Sequence, residues 1–217
     1  MNRLLVTILC HRYPNLYRDN KLTTLKWLLC GDGVFSLLDV MSILIVEHDS
    51  SIFVTNIKRT RGGLVIECNE QDAYIKGVLM TVETLSNYIC IICGALGTED
   101  LNVNLDYEVI KCKKHLSHEY TAIDYWITGF KCLTNKHAWS RYITILRSLL
   151  LHELDKEFDR KFNIRVNAKH EIEIMLSESN DFAQAMTDVI AGYCNRIDCR
   201  SGEVLRNKPP LRNLRPL

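Results

Sequence analysis

Cys90-Ile91-Ile92-Cys93-Gly94, followed after eighteen residues by Cys112-Lys113-Lys114-His115, is the stretch on which the fold turns. Two ligand pairs, each with two intervening residues, can converge on one tetrahedral ion. The tight turn of such a pair lets backbone N–H groups hydrogen-bond the thiolates, and Gly94 accepts the backbone angle the turn demands. Three thiolates and one imidazole are a soft set that favours zinc over magnesium or calcium. Cys90, Cys93, Cys112 and His115 are therefore the expected Zn²⁺ ligands, with Cys132 or His118 as substitutes for His115. Four protein ligands leave no position for a water, so the expected role is structural.

Between the pairs, Leu105, Tyr107 and Val109 alternate and suggest a short hairpin, with His115 opening the helix after it. Knuckle, hairpin and helix in that order are treble-clef-like. Upstream, residues 2–13 read as a short helix stopped by Pro14, and Gly31 and Gly33 mark a loop around Asp32. Val34, Leu37, Leu38, Met41, Leu44 and Ile45 fall at helical spacing, predicting an amphipathic helix over 34–47. The β-rich runs 52–57 and 64–68, joined through Gly62-Gly63, predict a hairpin, and Ala73, Val78, Val82 and Leu85 a helix over 71–88.

Downstream, Leu116, Tyr120, Ile123, Ile127 and Phe130 form a helical stripe, and 136–162 reads as the longest helix. Ile164/Val166 and Ile172/Ile174/Leu176 predict a second hairpin through Asn167-Ala168-Lys169. A last helix carries Phe182, Met186, Val189 and Ile190, capped by Asn180 or Ser179. Trp27, Trp126 and Trp139 lie within or beside apolar stripes, as core or interface residues do. The predicted fold is α+β, with a zinc-stabilised module over 1–130 and a mostly helical part over 131–195. A basic tail over 196–217 completes the chain.

The chain has 217 residues, 27 Lys and Arg against 26 Asp and Glu, and nine cysteines. A net charge of +1 argues against a protein whose main task is coating nucleic acid. The charge is unevenly spread: Arg196, Arg200, Arg206, Lys208, Arg212 and Arg215 against Asp198 and Glu203 leave the tail at +4 and the rest at −3. No uncharged apolar run reaches the roughly 18–20 residues of a membrane helix, and the apolar N-terminal run ends at His11. A cytoplasmic location is expected, where cysteines serve as thiols or metal ligands rather than as disulfides.

Several segments taken together resemble a widespread set of small uncharacterised bacterial and phage proteins. They are Arg12-Tyr13-Pro14 with Leu16-Tyr17; Cys30-Gly31-Asp32-Gly33 with Phe35 and Leu37-Leu38-Asp39; Ile57-Lys58 with Gly62-Gly63-Leu64; and the two ligand pairs. The resemblance covers about residues 10–116. It departs at Val34, where Trp is usual, at Thr60-Arg61, where Lys-Phe is usual, and at Val65-Ile66, where Arg-Phe is usual. It implies a fold and a zinc ion rather than a reaction.

The leading functional expectation is a non-enzymatic binding protein that occludes a protein partner, such as a toxin immunity protein or a phage or bacterial conflict factor. The second is a nucleic-acid-binding regulator using Lys111, Lys113 and Lys114 beside the metal and Arg206, Lys208 and Arg212 of the tail. The third is an HNH-like metal-dependent nuclease built on His115, His118, Asn135 and His137, although His118 falls inside a predicted helix rather than on a strand. Asp32 and Asp39 as paired carboxylates are disfavoured against a loop or capping role for Asp32. Cys194 and Cys199 lack a second pair with which to build another metal site.

Overall fold

The computed structural model describes residues 1, 3–18, 30–60, 63–97, 112, 115, 138–153, 162–167, 171–176, 180–199 and 204–205. The architecture is α+β: helices with two small antiparallel hairpins. Helix α1 (Arg3–Arg12) ends just before Tyr13-Pro14, where the proline ring disfavours a helical Tyr13. After a 3-10 turn (Asp32–Val34) comes α2 (Phe35–His48). Its predicted apolar stripe understates its position, because every residue from Ser36 to Ile45 is buried. A helix buried on all sides lies at the centre of a core, and its polar residues need partners. Ser42 Oγ bonds the Leu38 carbonyl at 2.7 Å and meets the Tyr17 hydroxyl at 2.6 Å.

Strands β1 (Val54–Arg59) and β2 (Leu64–Cys68) form the first hairpin, with Ile57 opposite Ile66. A register shift between Val54 and Asn56 explains why Val54 and Ile57, three apart, are both buried. The extra residue reverses the facing of the rest of the strand. Helix α3 (Ala73–Ser86) covers this hairpin. Its Ser86 hydroxyl and Glu83 carboxylate accept the N–H groups of Leu64 and Ile66, each at 2.7 Å, so the β2 edge is satisfied.

Helix α4 (Trp139–Glu153) buries Trp139, Tyr142, Ile143, Leu146 and Leu150. It does not continue to residue 162 as its periodicity suggests, because Phe162 already opens β3 (Phe162–Val166). The β-branched alternation from Ile164 onward prevails over helical continuation. Strand β3 pairs with β4 (Ile172–Leu176) to form the expected second hairpin, with Ile164 opposite Ile174. Asn180 caps α5 (Asp181–Cys194) by accepting the Ala183 N–H at 2.8 Å. Helix α5 packs on α2, α3, α4 and β4.

One apolar cluster takes in residues of α1 to α5 and both hairpins, so the core runs across the division expected at residue 130. The described residues at the start of the expected tail are packed on the fold. Arg196 and Ile197 are buried, Ile197 bridges Val204, and the Arg196 carbonyl accepts the Leu205 N–H at 2.8 Å. The Arg196 charge is met internally: Arg196 pairs with Asp39, which is also reached by Arg12 at 3.2 Å and by the Tyr13 hydroxyl at 2.8 Å. No helix among the described residues is long and apolar enough to cross a membrane.

Candidate metal centre

Residues 88–97 form a minimal hairpin with the ligand turn at its tip. Ile89 bridges Leu96, the Gly97 N–H bonds the Tyr88 carbonyl at 2.8 Å, and the Cys90 N–H bonds the Ala95 carbonyl at 2.7 Å. The turn closes when the Gly94 N–H reaches the Cys90 carbonyl at 2.9 Å, with Gly94 at φ 78°. That is the left-handed region expected of Gly94. The second pair sits on a turn of its own, in which the His115 N–H bonds the Cys112 carbonyl at 2.8 Å.

Four ligand atoms, from Cys90, Cys93, Cys112 and His115, lie within 4.8 Å of one another. The Cys93 and Cys112 sulfurs are 3.6 Å apart, and His115 Nδ1 stands 3.5 Å from the Cys90 sulfur and 3.3 Å from that of Cys112. The set can hold a metal ion. Zn–S bonds of about 2.3 Å and a Zn–N bond of about 2.0 Å, meeting at tetrahedral angles, place sulfurs about 3.8 Å apart and sulfur and nitrogen about 3.5 Å apart. The three separations above lie within a few tenths of an ångström of these values, and the four atoms together lie within 4.8 Å. The His115 nitrogen that faces the sulfurs is Nδ1, a choice the Cys-x2-His spacing does not announce.

Burial opposes ionisation of Cys90, yet hydrogen bonds from the backbone N–H groups of Cys112, Cys93 and Ile92 prevail and lower its pKa. Cys93 is pushed up to about 12, by burial first and by the neighbouring sulfurs next. A cation removes this conflict, because its positive charge lets all the thiolates share one site.

The knuckle is seated on its outer side by the Cys30-Gly31-Asp32-Gly33 element. The Gly33 N–H donates to the Ile91 carbonyl at 2.8 Å, and a Cβ on Gly33 would overlap the Cys90 carbonyl oxygen. Two backbones can approach this closely only without a side chain between them. From the other direction, the buried Tyr193 hydroxyl donates to the Gly94 carbonyl at 2.7 Å, and Val204 lies against Gly94. The sequence shows the Gly-x-Gly spacing but not that it serves the metal turn, and nothing in it points to Tyr193 or Val204.

The remaining sequence candidates divide clearly. Asp32 opens the 3-10 turn, with Gly31 rather than Asp32 at the N-cap. Asp39 accepts from Arg12, Tyr13 and Arg196 in the core, so its oxygens are engaged in structure rather than paired with Asp32. Burial, then the Asp39 charge, raise the Tyr13 hydroxyl pKa well above its ordinary value. Trp139 is buried as expected. Cys194 and Cys199 belong to no ligand cluster among the described residues. Lys111, Lys113, Lys114, Arg206, Lys208 and Arg212 lie outside the described residues. So do His118, Cys132, Asn135, His137, Trp27, Trp126 and the hairpin and helix expected on either side of Cys112 and His115.

Compared with known proteins, the chain matches no family model, no curated protein and no solved structure.

Proposed function

We propose that the chain is a non-enzymatic, zinc-braced binding protein that acts by covering a surface of a partner protein. The observation that carries this reading is the position of two large apolar side chains beside the ligand set. Ile92 is 47% exposed at the tip of the knuckle and Tyr88 is 39% exposed at its base. Zinc on Cys90, Cys93, Cys112 and His115 would fix the backbone that presents them. Four protein ligands direct such an ion to bracing rather than chemistry. A rigid apolar protrusion suits a partner pocket, because little side-chain and backbone freedom is lost on docking. The resemblance to bacterial and phage proteins suggests a toxin or another conflict factor as the partner.

The test has two parts. Elemental analysis of freshly purified protein should find about one zinc per chain. Affinity capture from the native host should then retain a stoichiometric protein with the wild-type chain and lose it with Ile92→Asp at unchanged zinc content. Recovery of no such protein, or capture insensitive to Ile92→Asp, refutes the reading. Recovery of nucleic acid, with binding that falls steeply as salt rises, would favour the regulator instead.

A further inference from the structure

We propose that Cys93 and Cys112 are a modification site: a thiolate pair that peroxide oxidises to a disulfide, expelling the metal. This rests on the metal reading above and adds to it. The Cys93 and Cys112 sulfurs stand 3.6 Å apart, so an approach of about 1.5 Å makes a disulfide. Cys93 is the half-buried thiol of the cluster, whereas Cys90 and Cys112 are buried. Cys93 is thus the least buried of the three cysteines, and the Cys112 sulfur stands within reach of its own.

The step balances with hydrogen peroxide as oxidant. The Cys93 thiolate attacks one peroxide oxygen; the S–O bond forms, the O–O bond breaks and hydroxide leaves. The Cys112 thiolate then attacks the sulfenic sulfur; the S–S bond forms, the S–O bond breaks and a second hydroxide leaves. The two sulfurs together give up two electrons, which the peroxide takes. The ion is left with Cys90 and His115 alone, two of its four donors, and dissociates.

Freshly purified, metal-loaded protein is treated with hydrogen peroxide, and released zinc is followed with a chelating dye. Digestion under acid-quenched, thiol-blocked conditions maps the disulfide by mass spectrometry. The expected result is one zinc released per disulfide formed, the bridge mapped to Cys93 and Cys112, and metal rebinding after dithiothreitol. A double variant, Cys10→Ser with Cys199→Ser, removes two other half-buried thiols and should respond unchanged. Zinc retained while thiols elsewhere oxidise, or a bridge mapped to any other pair, overturns the inference but leaves the metal reading intact. Protein that contains no metal when freshly purified overturns both.

Discussion

Replacing Arg196 by Met tests whether the segment beyond α5 is part of the fold. Arg196 and Asp39 are separated by 157 residues and form an ion pair whose side chains are 10% and 1% exposed. Removing one partner of a buried pair typically costs about 3–5 kcal/mol, because the other charge stays buried without full compensation. Asp39 would keep the Tyr13 hydroxyl and Arg12, so the lower end, about 3 kcal/mol, is expected. For a chain of this size that lowers Tm by about 6–12 °C. Arg12 also touches Asp39, yet its side chain is 41% exposed, so water screens it. Arg12→Met should therefore cost no more than about 1 kcal/mol. Urea melts of both variants, with the exposed Arg3→Met as control, measure the order. A double-mutant cycle with Asp39→Asn should return a coupling of about 0.5–3 kcal/mol. An Arg196→Met protein as stable as the Arg3 control, or less affected than Arg12→Met, would show that the C-terminal return does not contribute to the core.

Gly33→Ala puts a methyl group against the Cys90 carbonyl oxygen, which is backbone and cannot swing aside. A loss of about 1–3 kcal/mol is expected, together with weaker zinc retention in chelator competition. Asp72 caps α3 by accepting the Ile75 N–H at 2.8 Å, so Asp72→Ala should cost about 1 kcal/mol at pH 7. Burial opposes its ionisation, but that N–H and His48 outweigh it and hold its pKa below the ordinary 3.8. With a folded pKa below the unfolded one, the contribution is present above pH 3.8 and fades as the pH falls through the folded value. The gap between wild type and variant should close in acid melts. Chelation of the metal should abolish amide protection at His115 and weaken it over residues 88–97, while α3 and α5 stay protected in hydrogen exchange.

The elements legible in the sequence are those whose signals are local. Asn180 and the stripe behind it mark α5, and Gly62-Gly63 marks the first turn. The two ligand pairs mark the metal cluster. The features that escaped depend on partners far along the chain. Arg196 reads as one basic residue among six in a charged C-terminus, because its carboxylate lies 157 residues upstream. Asp39 reads as a polar position on an amphipathic helix, although three donors make it a core residue. The bulge at Val54–Asn56 defeats a period-2 reading of β1, since both Val54 and Ile57 face inward. Helical periodicity carries α4 past its end because the stripe through Phe158 does not show where Phe162 turns to strand geometry.

The local character of the chelation effect comes from how the knuckle is held. In an isolated zinc finger the ion supplies the folding energy, and the metal-free chain is unfolded. In this chain Cys90 and Cys93 sit on a turn already held by the Gly33 N–H on one side and the Tyr193 hydroxyl on the other. A bound ion's structural task would reduce to joining the Cys112–His115 turn to that seat across eighteen intervening residues. By loop-closure entropy such a join is worth about 3 kcal/mol. A zinc site of three thiolates and an imidazole binds with about 10–16 kcal/mol at neutral pH, so the join is easily made and the surplus appears as metal affinity. A Cys93–Cys112 disulfide closes the same loop covalently. Oxidation therefore need not unfold the protein: it exchanges one staple for another, and only Cys90 and His115 lose their cross-link. That outcome is measurable, since oxidised, zinc-free protein should melt closer to the zinc-loaded form than reduced, zinc-free protein does.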